Sequence, residues 1–391
     1  MNGILRGILL LFASNLLVAA SAQDFTSLLQ SIEQNSLHLK AERMKVDASA
    51  AEASLANVLD APEVGFDYLW GSHGIGNRVD VEVSQSFDFP SVYSKRNRLI
   101  MEQQRVAELD YLNERQKLLV RAHKMCIEVV YYNTVLKHFE KDLEDTRATA
   151  EAYQKLFERG EATIIDRNKS KQAYVMYQAE FLETAAMRRV LLEELKNLNG
   201  GVPVSIADTF FSHEPLPADF EQWMAENIDK HPSFQAAKQK IKAEEMELQM
   251  ARSEWLPKFK VGYMGELGRD ERYQGLTAGI SVPVWSAAKK AKAAKCRLDA
   301  AQMEAKDAEN ELLSQLKAVY SQVLELQKSC QMVLSYMKDC DNDIYLHKSF
   351  NAGQITLLTY LQEQQYMHEM FVKNIAIERD LELRKAELCI Y

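Results

Sequence analysis

Few residues that could do chemistry stand at spacings that chemistry needs. His368-Glu369 opens like a zinc-protease helix but lacks the second histidine, and no G-x-S-x-G is present to hold a nucleophilic serine. Asp341-Asn342-Asp343 begins like a calcium loop, yet Leu346 stands where that loop needs glycine for its sharp turn. Gly71-Ser72-His73-Gly74-Ile75-Gly76 has the glycine content of a phosphate cradle, but an alternating strand follows it instead of a helix, so it is a hairpin loop. The five cysteines (Cys126, Cys296, Cys330, Cys340 and Cys389) are odd in number and show no CxxC or zinc spacing. The 15 methionines are scattered through helical stretches, where Met fills gaps in cores. A channel for heavy-metal cations is the alternative they raise. No catalytic residue, metal ligand or cofactor site follows, and the chain is not expected to be an enzyme. A net charge of -9 without a concentrated basic face excludes nucleic acid as a partner.

Those residues lie on unusually long elements. In 391 residues there are only 15 Gly and 8 Pro to punctuate the chain. Residues 1–22 combine Arg6, an apolar stretch from Ile8 to Ala20 and the small residues Ala20-Ser21-Ala22, the pattern of a cleavable secretory signal with Gln23 as the mature start. No later stretch reaches the roughly 18 to 20 apolar residues that a spanning helix needs, so membrane insertion must use strands. No cysteine follows the cleavage site to accept a lipid.

The chain is written twice. Leu156-Phe157-Glu158-Arg159-Gly160-Glu161-Ala162-Thr163 is echoed by Ser349-Phe350-Asn351-Ala352-Gly353-Gln354-Ile355-Thr356, with Phe, Gly and Thr at identical spacing. Phe89-Pro90 falls on Val282-Pro283 at the same offset, and Pro62 falls on Pro257 at one two residues longer. Each copy reads as helix, two strands, very long helix, Gly-containing turn and return helix. The expected bounds are a first repeat over 23–199, with strands 63–71 and 78–88, long helix 92–159 and return helix 163–199. A Gly/Pro-rich mid-body linker covers 200–217. The second repeat covers 218–391, with strands 258–267 and 274–284, long helix 285–352 and return helix 355–391.

Helices this long must bury a seam. Leu312, Leu316, Val319, Val323, Leu326, Cys330, Val333, Met337, Cys340 and Ile344 alternate spacings of four and three, a sustained heptad that places Cys330 and Cys340 in a core as small hydrophobes. Leu136, Phe139, Leu143, Thr146, Ala150, Tyr153 and Phe157 repeat it in the first copy, with a stutter upstream.

The strands show period two. Val64, Phe66, Tyr68 and Trp70, then Val79, Val81 and Val83, share an apolar side, as do Phe259, Val261 and Tyr263, and Leu276 with Ile280. Polar residues take the other side, which matches the lipid-out, lumen-in alternation of a membrane barrel; a soluble four-stranded sheet packed on helices alternates in the same way and is the other reading. Phe89, Tyr93, Trp255 and Trp285 at the helix-proximal strand ends form an aromatic girdle. Four strands are too few to close a barrel and lipid tolerates no open edge, so several chains must share one.

The duplicated order, with the Phe-x-x-Gly-x-x-Thr turns, resembles the TolC-like outer-membrane factors over essentially the whole mature chain. The resemblance implies a mainly α protein with a small β part, located in the outer membrane with most of the chain in the periplasm. It implies a homotrimer, in which antiparallel coiled-coil helices form an α-barrel and four strands per chain build a 12-stranded β-barrel in outer-membrane lipid. It also implies a periplasmic adaptor and an inner-membrane pump of RND type as partners, the adaptor docking at the turns of Gly160, Thr163, Gly353 and Thr356. In relatives closed by acidic rings, aspartates follow the second turn. The matching positions here are Thr359 and Gln362, with Glu363 adjacent, while the first copy retains Asp166; these four are the expected constriction. The N-terminal lipidated cysteine and longer C-terminal tail of many relatives are not expected. A periplasmic coiled-coil scaffold tethering envelope layers is the alternative of a different class; it has no need of strands with an apolar outer face.

Overall fold

The computed structural model describes residues 25–71, 76–211, 219–268, 271–282, 286–339 and 343–389. The expected signal over residues 1–22 lies outside them. The elements run α1 (Thr26–Asn35), α2 (Leu37–Leu55), β1 (Glu63–Leu69), β2 (Arg78–Phe87), α3 (Pro90–Glu158) and α4 (Ile164–Leu198) in the first copy. The second copy has α5 (Phe220–Asn227), a 3-10 turn (Ile228–Lys230), α6 (Pro232–Ser253), β3 (Lys258–Leu267), β4 (Arg272–Ser281), α7 (Ala287–Asp339), α8 (Asp343–Asn351) and α9 (Leu357–Leu388). At about 1.5 Å per residue, the 69 residues of α3 rise on the order of 100 Å.

The structure refines several expected bounds. The helix ahead of each hairpin is two segments. In the first copy Ser36 starts α2 by accepting the Leu39 N–H at 3.4 Å, and in the second His231 precedes Pro232, whose missing N–H suits a first helical turn. β4 begins at Arg272 and ends at Ser281, instead of covering 274–284, because pairing resumes as soon as the loop closes: the Gly268 N–H meets the Glu271 carbonyl at 2.9 Å, and Leu267 opposes Arg272. The second long helix is described as α7 and α8, with 340–342, and so Cys340, outside the described residues.

The two compact units cut across the repeats. One comprises Met1–Asn35, Val120–Leu216 and Tyr320–Cys389; the other Ser36–Leu119 and Pro217–Val319 with the last two residues. Each takes matching pieces of both copies.

In the first unit the apolar seam of α3 is Ala122, Cys126, Val129 and Val130, none more than 1% exposed, followed by Phe139 and Thr146. Val323 and Cys330 of α7 are buried on the expected heptad, whereas Ile344 in the first turn of α8 is exposed, so the seam ends before it. Helix α4 terminates at a Schellman turn: the Gly201 N–H reaches the Lys196 carbonyl at 2.8 Å, with Gly200 at φ 64°. A β-carbon at Gly200 would meet the Asn35 carbonyl oxygen at 2.4 Å, so only glycine fits there. The linker that follows is extended but not loose. Asn133 donates to the carbonyls of Ile206 at 3.0 Å and Asp208 at 2.9 Å, Thr134 donates to Thr209 at 2.8 Å, and Ile206 is buried.

In the second unit Ala287, Ala294 and Ala301 of α7 repeat every seven residues and are buried, which permits close helix approach. Leu248 and Ala251 of α6 pack on Ala294. The four strands form one antiparallel sheet in the order β1-β2-β3-β4, and the β2–β3 ladder joins the two copies.

Burial pushes the Cys126 thiol up to about 12, so it stays protonated and inert, while Cys296 is exposed. A thiol-reactive probe on the native protein is expected to label Cys296 and to leave Cys126 untouched until denaturant is added. Mass spectrometry of the labelled peptides checks this, and rapid native labelling of Cys126 would contradict the packing described.

Candidate functional site

The ladders put the expected apolar residues on one side of the sheet. Directly opposed residues share a face, and the rows run Val64–Val83–Tyr263–Leu276, Phe66–Val81–Gly265–Gln274, and Phe87–Phe259–Ile280, with Val79 opposite both Tyr68 and Leu267 and Val261 opposite Ala278. This apolar side is the exposed one: Trp70 is 81%, Leu276 86% and Phe66 66% exposed, and Val64, Tyr68, Val83, Val261, Tyr263 and Ile280 are exposed as well. Val79, Val81 and Phe259 are half-buried. The polar side carries ion pairs within the sheet. Arg78 pairs with Asp80 at 2.7 Å and Glu266 at 3.0 Å, Lys260 with Glu63 at 3.1 Å and Glu82 at 3.8 Å, and Ser84 is buried. A water-soluble sheet does the reverse, since each large apolar side chain left out of water is worth about 1.5–3 kcal/mol. At the helix-proximal end Phe89 and Trp255 are exposed and Tyr93 half-buried, while Trp285 lies outside the described residues. Asp88 there holds Arg96 at 2.6 Å and Lys258 at 3.1 Å, tying the start of α3 to β3.

The two Gly turns, 193 residues apart, have the same geometry. Gly160 at φ 75° and Gly353 at φ 70° close Schellman turns, in which the Glu161 N–H reaches the Leu156 carbonyl at 2.8 Å and the Gln354 N–H reaches the Ser349 carbonyl at 2.9 Å. A β-carbon at either would meet nothing within 4 Å, so backbone conformation alone demands glycine and the turns are open to solvent. Thr163 and Thr356 then cap the return helices, accepting the N–H of Asp166 at 3.1 Å and of Thr359 at 3.2 Å. The copies touch here through Tyr153 and Phe350, stacked at 6.4 Å, and Phe350 on Tyr360 at 4.1 Å.

Residues 223–369 match the family model for outer membrane efflux proteins. Over that segment the chain is similar to the outer membrane efflux proteins. It is 23% identical over 282 residues to the alkaline protease secretion protein AprF of Pseudomonas aeruginosa, an alignment covering 66% of this chain and 57% of that relative, little more than half its length. Its fold is that of a membrane protein from Pseudomonas aeruginosa (TM-score 0.77, 13% identity, covering 93% of this chain and 91% of that one). It is also that of the open state of the Neisseria gonorrhoeae MtrE outer membrane channel (TM-score 0.76, 12% identity, covering 93% and 87%).

The four expected constriction residues sit just past the turns. Asp166 is committed to a capping box, its carboxylate accepting from the Thr163 N–H at 3.2 Å and hydroxyl at 2.6 Å. Thr359 holds the same position in the second copy and contacts the Thr356 hydroxyl at 3.0 Å. Gln362 and Glu363 are exposed on α9.

Helical periodicity missed one group of side chains. His138 and Asp142, one turn apart on α3, meet His368 of α9. The Asp142 Oδ2 lies 3.3 Å from His138 Nε2 and 2.7 Å from His368 Nδ1. The His368-Glu369 motif therefore lacks a histidine on its own helix but gains one from α3. The His-x-x-x-Asp spacing at 138 and 142 was the available signal.

The two caps differ in one carboxylate. Thr163→Ala removes the acceptor for the Asp166 N–H and the hydroxyl that anchors its side chain, at a cost of about 1 kcal/mol. It is expected to raise amide exchange in the first turn of α4 about fivefold, by the same energy. Thr356→Ala is expected to act more weakly on α9, and equal effects would show that Asp166 adds nothing to its cap.

Proposed function

We propose that the chain is one subunit of the outer-membrane channel of a tripartite efflux or secretion system: a passive conduit from periplasm to exterior, driven by an inner-membrane pump of RND type through a periplasmic adaptor. The observation that carries this is the exposed apolar face of the sheet, in a chain where, among the described residues, no helix is long and apolar enough to cross a membrane. In lipid that face is solvated, and the polar face with its Arg78 and Lys260 ion pairs turns to a watery lumen. β1 and β4 lie at the ends of the strand order, and lipid offers no partner for their edges. Three chains supply twelve strands and close the barrel, so the subunit works as a homotrimer. Similarity to a relative named for protease secretion supports keeping secretion beside efflux as the transport task.

Docking of the adaptor falls to the solvent-open turns at Gly160, Thr163, Gly353 and Thr356, whose conformation is held by the backbone and not by packing. The gate falls to Asp166, Thr359, Gln362 and Glu363 on the return helices directly after them. Opening requires only small shifts of those helices against α3 and α8.

The native mass of the mature protein extracted in detergent, corrected for bound detergent, is expected to equal three chains. Planar bilayers containing it are expected to show discrete conductance steps. A monomer or dimer that needs no detergent would leave the periplasmic scaffold as the better account. Phe66→Asp, Val81→Asp and Val261→Asp each place a charge on the lipid face, at a cost on the order of 2 kcal/mol near the bilayer middle. The triple variant is expected to be lost from the outer-membrane fraction, and full recovery there would count against the channel.

A further inference from the structure

The His138–Asp142–His368 cluster, within the first unit, has the chemistry of a cation site. One side-chain donor atom from each residue lies within 4.8 Å of the others. Asp142 and His368 are buried, and His138 is half-buried beneath the Phe371 ring at 3.8 Å. The two imidazoles lie nearly parallel, with centroids 5.5 Å apart and 16° between planes, and each turns a nitrogen to the same carboxylate oxygen. Donors around a tetrahedral Zn²⁺ ion at about 2.0–2.1 Å stand about 3.3 Å apart. The His138–Asp142 separation of 3.3 Å already has that value. The shorter His368 contact needs to open by about 0.6 Å.

Two further observations point to a ligand. The second ring nitrogen of His368, Nε2, faces the Glu180 carboxylate across 3.8 Å, longer than a hydrogen bond but close enough for the carboxylate to move in and orient a metal-bound imidazole. Tyr177, 9% exposed, packs edge-on to His368 with centroids 5.1 Å apart, and its hydroxyl has no hydrogen-bond partner among the described residues. Access is open: a cavity of about 280 Å³ lined by Tyr177, Glu180 and His368 lies beside it.

We propose that His138 Nε2, Asp142 Oδ2 and His368 Nδ1 bind one divalent transition-metal ion of the Zn²⁺ class, with Glu180 positioning His368. Mixed imidazole and carboxylate donors select zinc, cobalt or nickel over calcium and magnesium, which take oxygen ligands. The ion is a resident cross-link between α3 and α9, not cargo, and the proposal does not depend on what the channel exports.

The full-length protein in detergent, stripped with chelator, is titrated with Co²⁺ and Zn²⁺. One ion per chain is expected, with a Co²⁺ ligand-field spectrum and a zinc X-ray absorption edge fitted by two imidazoles. His138→Gln and His368→Gln are each expected to weaken binding more than 100-fold, above the 10–100-fold loss typical of an outer-shell change. Glu180→Gln should weaken it within that range, and His38→Gln, on an exposed helix face, should leave it unchanged. Absence of saturable binding, or a zinc site fitted by oxygen alone, would overturn the proposal and leave a hydrogen-bonded core cluster. If a histidine variant misfolds, the imidazole count on the wild-type protein still decides.

Discussion

Backbone N–H and C=O groups at the edge of a sheet must find partners, and in lipid none is available outside the protein. The sheet of this chain has two such edges, β1 and β4, and the apolar rows between them are exposed instead of covered. The other face is half-closed by its own ion pairs. These conditions exclude a sheet that stands alone in water. They call for lipid on one face, water on the other and further strands at both edges. The β2–β3 ladder meets part of the demand by joining the two copies of the repeat, and the proposed homotrimer meets the remainder.

Helices of this length cannot be stabilised by propensity alone and depend on a buried stripe. The stripe changes in kind along α7. Ala287, Ala294 and Ala301 bring backbones close in the unit that holds the sheet, whereas Val323 and Cys330 give a larger seam in the other unit. The opposite side of α7 remains uncovered, with Met303 at 62%, Met332 at 67% and Tyr336 at 56% exposed. An exposed apolar side beside a satisfied seam gives the proposed neighbouring subunits a surface to cover, as the strand edges do.

The turns follow a different logic from the helices they join. Their shape comes from a left-handed glycine and a threonine cap, both local, and their exteriors are open. The ring stack of Tyr153, Phe350 and Tyr360 just behind them couples the two copies. A surface of this kind keeps its form when the helices behind it shift, which suits the proposed docking point beside the proposed gate. Asp166 is drawn into its own cap, so the two copies present different chemistry at equivalent positions.

Features whose cause is local were legible from the chain alone. Period two set the faces of all four strands, the glycine and threonine spacing set both turns, and the heptad located Val323 and Cys330 in a core. Boundaries were less legible, because the point where β4 starts pairing or α2 restarts at Ser36 depends on loop closure and single hydrogen bonds. Ile344 kept the heptad phase but not the burial, since a repeat in sequence does not say where its covering partner ends. Only the tertiary structure decided that the sheet's apolar side is the uncovered one. Only it brought His368 to Asp142 across 226 positions of sequence, and no periodicity within one helix encodes a meeting of side chains from two.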